Sequence, residues 1–229
     1  MCCRYVRFTP RKTFAQLAGI PIDLDRPFGE TVQSWNIAPG SACPLVRCGN
    51  VGTLQLDNLL WGLIPHWIKD RPGTRPINAR IETAAEDPTF RRIFWHRRAL
   101  ICANGWYSVS READGAQPYY VHFTDSKPFC FGGLWDEWPG PEGTLPTFTI
   151  LTQPSAASVV KIGERLPLII APANYQLWLD KNITDSEGIF RLCEPPAADT
   201  LIVDRISIAV NDSSTNGPDL VRPLPGYQV

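Results

Sequence analysis

The sequence has no Cys-x-x-Cys pair and only three histidines, His66, His96 and His122, at no spacing that suits a metal. Structural zinc needs four soft or imidazole ligands in close register, so a zinc site is not expected, and no other metal or cofactor is called for. No apolar run is long enough to span a membrane, and neither a signal nor a transit peptide is evident, so a cytoplasmic protein is expected, nucleoid-associated when bound to DNA. In that compartment the seven cysteines, an odd number, read as reduced thiols. There is no excess of either charge: the formal net charge is -1. A protein that coats duplex DNA by sheer basicity is thereby excluded, but a local basic groove is not. No repeat, low-complexity tract or linker interrupts the chain.

What is present suits a substantial core. The 229 residues are 44% hydrophobic, with eight Trp and ten Phe, and residues 1–229 read as a single domain. The 22 Pro and 17 Gly are scattered between short apolar runs, like punctuation in a strand-rich fold. A short amphipathic helix is predicted from Thr9 to Leu17, with Phe14 and Leu17 on one face. A hairpin is predicted over Val51 to Leu63, turning at Asp57-Asn58. Ile81 to Phe94 is helical in pattern but interrupted near Pro88. Strands are expected at Ala99 to Ala103, Tyr119 to Phe123, Phe129 to Trp135, Phe148 to Thr152, Leu166 to Ile170 and Leu201 to Ala209. Helices are expected at Ser155 to Lys161 and Pro172 to Leu179. Many short strands and few helices make an α+β fold of mostly antiparallel strands, barrel-like at its centre, with short flanking helices.

Two features carry chemistry. Arg71, Arg75, Arg80, Arg91, Arg92, Arg97 and Arg98 crowd one stretch, as a site for an anion would, though solvated helix faces make similar clusters. Residue 2 is a cysteine. Methionine aminopeptidases remove an initiator Met ahead of a small side chain, so Met1-Cys2 predicts a mature terminus with an α-amine beside a thiol. Such an aminothiol takes up an aldehyde as an imine, and the thiol closes on the same carbon to a thiazolidine, which no internal cysteine can form. Both groups act near neutral pH, and a cation such as Arg4 would favour the thiolate. The alternative is a cysteine placed there by chance.

Six segments then line up in order: Cys2-Cys3-Arg4-Tyr5, Trp35-Asn36-Ile37-Ala38-Pro39-Gly40, Trp61-Gly62-Leu63-Ile64-Pro65-His66-Trp67, Ile77-Asn78-Ala79-Arg80-Ile81-Glu82-Thr83, Cys102-Ala103-Asn104-Gly105-Trp106-Tyr107 and Arg165-Leu166-Pro167. Over nearly its whole length the chain resembles the SOS-response-associated peptidase, or SRAP, family. The resemblance implies a monomeric protein that binds single-stranded DNA with abasic sites and crosslinks to the opened sugar through Cys2. By the same resemblance Asn78 stands beside the abasic sugar, and Arg4, Arg80 and Arg165 lie at the DNA, where guanidinium groups fork onto phosphate oxygens. Trp67 and Trp106 would offer rings for stacking. Read from the residues alone, Asn78 could instead cap a helix, and either Trp could be core.

The chain also departs from the family. Cys3 replaces the usual Gly, Ser108 stands where relatives carry a catalytic Glu, and Gly163 where they carry an acid/base His. A positioned acid or base commonly contributes ~10²- to 10⁴-fold, so both losses should slow the chemistry before they weaken binding. Glu164, Glu82 and His66 are candidate substitutes. Two alternatives stay open: a degenerate binder of single-stranded DNA without chemistry, and a cysteine peptidase or self-processing enzyme with Cys2 as N-terminal nucleophile.

Overall fold

A computed structural model describes residues 3–17, 19, 33–49, 53–113, 115–155 and 162–225. Five strands close into a barrel. They are β3 (Ala42–Cys48), β4 (Leu54–Trp61), β6 (Arg98–Ala103), β9 (Phe129–Gly140) and β10 (Gly143–Pro154), joined in the ring β10-β4-β3-β6-β9 and back to β10. Every pairing in the ring is antiparallel except β10–β4, which runs parallel through Thr147↔Leu60 and Phe148↔Trp61. Short β5 (Asn78–Arg80) also joins β10 in parallel, β11 (Arg165–Pro167) extends the far end of β10, and β12 (Ile169–Ile170) lies on β9. A second sheet orders β13 (Leu201–Arg205), β8 (Gly115–Phe123), β7 (Gly105–Glu112), β1 (Tyr5–Arg7) and β2 (Ser34–Ile37). The helices are brief: α1 (Arg11–Leu17), α2 (Ile81–Ala84), α3 (Arg91–Phe94), α4 (Tyr175–Leu179) and α5 (Ser186–Phe190). The architecture is thus the expected α+β fold, mostly antiparallel and barrel-like at its centre.

The period-2 geometry of the barrel strands feeds two cores at once. On β6, Ala99, Ile101 and Ala103 join a cluster with Tyr5, Trp106 and Val121 of the second sheet, while Leu100 and Cys102 join Phe14, Phe94, Tyr175 and Trp178 of the helices. Both faces of β6 are therefore covered, which explains why it reads as an unbroken apolar run. Arg98 opens that strand at 3% exposure. Its guanidinium donates to the carbonyls of Phe94 and Trp95 at the end of α3, and to those of Trp178, Asp180 and Ile183 around the end of α4. It caps two helix ends from inside the core.

Several expectations need correction. Asp57 and Asn58 are not a turn but the middle of β4, which pairs with β3 through Leu45↔Asp57 and Pro44↔Asn58. The Asp57 carboxylate accepts from Arg47 Nε on β3 at 2.7 Å, so a largely covered cross-strand ion pair, on the same face as Leu45 and Leu59, imitates a turn signal. Prolines are not only punctuation, since Pro44, Pro118, Pro139, Pro146, Pro154 and Pro167 all lie within strands. The run expected to be a strand through Ala209 leaves the sheet at Arg205 and ends in a 3₁₀ turn at Ile208–Asn211. Beyond Ser155, the helix expected to reach Lys161 lies outside the described residues, and α1, α2 and α3 fall where helical patterning was found.

Candidate nucleic-acid interface

Strand β1 delivers the N-terminal residues to β7. Tyr5 pairs with Trp106 and Val6 with Gly105, and the Tyr107 amide donates to the Arg4 carbonyl at 3.1 Å. Continued one residue further, this antiparallel register would set exposed Cys3 level with Ser108. Cys2 lies outside the described residues. Arg4 is anchored by the protein, donating to Asn36 Oδ1 at 3.0 Å and to the Asn211 carbonyl at 2.9 Å. Asn36 in turn donates to the carbonyls of Val210, Asp212 and Thr215, tying the C-terminal segment beneath the N-terminal strand.

The two positions at which the sequence departs from the family adjoin each other. Ser108 is buried and its hydroxyl donates to the Ile162 carbonyl at 2.7 Å. A Cβ built on Gly163 would stand 2.8 Å from that same Oγ. Fifty-five residues apart in sequence, the pair shares one small space.

Along the neighbouring flank run Asn78, Arg80, Glu82 and Arg165. β5 places Asn78 opposite Ile150 and Arg80 opposite Thr152, with the Arg80 side chain exposed just ahead of α2. Asn78 begins a strand, so it is not the cap of α2; Arg80 holds that position and makes no side-chain cap. Arg165 forks onto Glu82 at 3.0 and 2.8 Å and also donates to Thr152 Oγ1 and to the Thr152 carbonyl. Burial pushes the Glu82 carboxyl upward, but its bonds to Arg165, with that cation and Arg80 nearby, prevail and hold it below the usual carboxylate range. Arg165 is thus already occupied by a carboxylate, and Arg80 is the more open cation of the two.

Trp67 is 50% exposed. The residues on either side of it are fastened. Asp136 accepts from both the backbone amide of His66 (2.8 Å) and its Nδ1 (2.9 Å), and the Trp138 indole donates to the Ile68 carbonyl at 2.7 Å. A large ring left out of the core on a loop pinned at both shoulders is preorganised for contact. Neither Asp136 nor Trp138 was anticipated, because each lies 70 residues from its partner and no local pattern links them. Trp106, expected at the surface, is 2% exposed and packs edge-on against Phe129 and Phe131, so it is a core residue and no stacking platform. His66 is a poor stand-in for the family His. Its anchor Asp136 pairs with Thr147, whereas Arg165 pairs with Pro154, seven residues or roughly 23 Å along β10. The basic cluster divides likewise: Arg98 is a core cap, Arg97 is bonded to Asp136, and Arg71, Arg80, Arg91 and Arg92 remain exposed.

The thiols are graded by burial. Cys43 is pushed up to about 11 and Cys193 to about 12, each chiefly by desolvation, and Cys102 is raised as well. Such groups are poor nucleophiles, whereas Cys3 is exposed. Among the described residues no three potential ligands gather as a metal site, and no helix is long and apolar enough to cross a membrane.

Known proteins share this plan. "Abasic site processing protein YoqW" of Bacillus subtilis is 33% identical over 224 residues, covering 96% of this chain and 99% of its own. "Abasic site processing protein YedK" of Escherichia coli is 29% identical over 232 residues, covering 98% and 100%. In solved structures, a Bacteroides thetaiotaomicron protein superposes with a TM-score of 0.86 at 21% identity, over 97% of this chain and 100% of that one. Residues 1–213 match the model of the family described as SOS response associated peptidase (SRAP), and the chain belongs to that family.

Proposed function

We propose that residues 1–229 act as one monomeric SRAP domain that recognises abasic sites in single-stranded DNA and binds them covalently through Cys2. Loss of Met1 frees the α-amine. That amine condenses with the ring-opened sugar aldehyde, expelling water, and the Cys2 thiol adds across the imine, its proton passing to nitrogen, to close a thiazolidine. Asn78 would hold the amine or a sugar hydroxyl without adding charge, Arg80 would take a phosphate, and Trp67 would stack a base. Arg4 and Arg165 contribute positive potential while fastening the N-terminal strand and Glu82. The proton transfers run with reduced assistance, since Ser108 and Gly163 supply neither carboxylate nor imidazole.

The observation that carries this reading is the register of β1 on β7, which leads the N-terminal residues alongside Ser108, itself in reach of Gly163. It gives a physical reason why a terminal aminothiol and those two departures belong to one site. Intact mass of the purified protein, before and after incubation with single-stranded DNA containing an abasic site, tests the proposal. The first spectrum should lack Met1 and the second should show protein plus DNA. Retention of Met1, or DNA binding with no mass increase, would leave the chain a non-covalent binder.

A further inference from the structure

The chemistry assigned to Cys2 makes no use of His66, yet few side chains here are so deliberately held. Its Nδ1 edge and its own backbone amide both rest on one oxygen of Asp136, a carboxylate that is 1% exposed. The other oxygen of Asp136 takes Arg97 and the Glu137 amide. The ring itself is 40% exposed, and Nε2 has no protein partner among the described residues. An imidazole whose Nδ1–H is fixed by a carboxylate has one tautomer when neutral, so Nε2 then offers a lone pair outward. Protonation turns that same atom into a charged donor.

Two features place it where a phosphate would pass. It immediately precedes Trp67, whose ring projects into solvent, and the loop is rigid on both sides of that ring. A strand with one base stacked on Trp67 carries its phosphodiester a few ångström away, within reach of the neighbouring side chain. We propose that His66 is a pH-gated contact for a phosphodiester oxygen beside the base stacked on Trp67; this rests on the DNA-binding reading given above. The neutral ring sets a lone pair against the phosphate, and the imidazolium donates to it. Binding and protonation therefore reinforce each other.

The charged groups facing His66 are Asp136 on β9 and Arg97 ahead of β6, which largely cancel; Glu137 is turned toward Arg47 of β3 at 3.0 Å, and Lys69 and Asp70 follow on the same loop. Histidine ordinarily changes charge between about pH 5 and 8. The α-amine of Cys2 is a second group that can titrate in part of that window, so parent and variant must be compared with Cys2 intact in both.

The test is fluorescence anisotropy of an undamaged single-stranded oligonucleotide, which cannot crosslink, at constant ionic strength. Between about pH 5.5 and 8 the parent Kd should rise about tenfold, while that of His66→Gln should change less than about twofold beyond any drift common to both. Equal pH dependence in parent and variant overturns the proposal. The unmutated protein provides a second readout, since it holds only three histidines. With ¹³C-labelled histidine, the titration midpoint of the His66 ring should move up when DNA is added, and an unmoved midpoint overturns the proposal whatever the variant does. Failure of the parent to bind the oligonucleotide at every pH overturns the functional reading and this one with it. Binding without pH dependence overturns this one alone.

Discussion

Removing the Ser108 hydroxyl should make room for a side chain at position 163, and a double-mutant cycle measures how much. A Cβ at Gly163 meets Ser108 Oγ at 2.8 Å, well inside van der Waals contact. The hydroxyl cannot retreat freely, because it is held at 2.7 Å by the carbonyl of Ile162, the residue just before the glycine. Gly163→Ala alone should therefore cost about 1 to 3 kcal/mol, the usual range for overpacking. Ser108→Ala alone strips a buried carbonyl of its donor, again about 1 to 3 kcal/mol. Combined, the new methyl enters space the hydroxyl has left, and the overpacking cost disappears. The pair should be less destabilised than the sum by about 1 to 2 kcal/mol. Urea denaturation followed by tryptophan fluorescence gives each value, with unchanged m as the check that the cycle is sound. Additivity within about 0.5 kcal/mol would refute the contact, and with it the claim that the two departures share one pocket.

Cys2→Ala should abolish the heat-stable adduct with abasic single-stranded DNA and Cys3→Ala should not, as read on a denaturing gel; an adduct that depends on Cys3 would move the nucleophile. Ser108→Glu with Gly163→His should crosslink faster than the parent in a single-turnover time course. Arg80→Ala should lower the salt slope of single-strand binding by about 0.7, one phosphate contact. Arg165→Ala should act mainly through the freed Glu82, whose pairing is complete above the ordinary carboxylate range and is lost as pH falls below it, so the variant should lose the pair's contribution at neutral pH and differ least from the parent in acid. Trp67→Ala should weaken binding by about 1 to 3 kcal/mol yet leave the unfolding free energy from urea denaturation within about 0.5 kcal/mol of the parent's, since the ring is half exposed. Arg98→Met should cost on the order of 3 to 5 kcal/mol by taking the guanidinium donor from five carbonyls, of which only that of Asp180 keeps a backbone donor, Ile183, among the described residues, with no effect on the salt slope.

Strands buried on both faces are legible where they are unbroken apolar runs; β6 after Arg98 and the middle of β9 are of this kind. Strands interrupted by polar residues give a weaker signal. β4 reads as two strands around Asp57-Asn58, although that carboxylate is paired across strands with Arg47 on the face of Leu45 and Leu59, and β7 gives no strand signal because Ser108, Ser110 and Arg111 break its apolar run. Motif order singles out Trp67, Arg80 and the two departures as candidates, but adjacency in a motif says nothing about which way a ring points. Trp106 alternates with Gly105 and Tyr107 along β7, so it faces the cluster of Tyr5, Val121 and Phe131 while Tyr107 faces Tyr120 on the other side. Arg98 sat in a basic cluster yet serves backbone carbonyls from two helices, and Asp136 was invisible as the anchor of His66. The bonds of Arg98 to Trp178, Asp180 and Ile183 and of Asp136 to His66 join residues 70 or more apart, beyond the reach of any window.

The arrangement of β10 bears on how the protein is made. That strand pairs with β4, β5, β9 and β11, and its parallel contact with β4 joins segments almost ninety residues apart. During synthesis β3, β4, β6 and β9 emerge first and can pair in sequence, but until residue 154 is available the growing sheet has open edges on β4 and β9. Unpaired edges recruit other strands, and a long-range parallel closure is intrinsically slow. Nascent chains from which β9 but not yet β10 has emerged are therefore the form most exposed to aggregation, and release of β10 is the step that removes it.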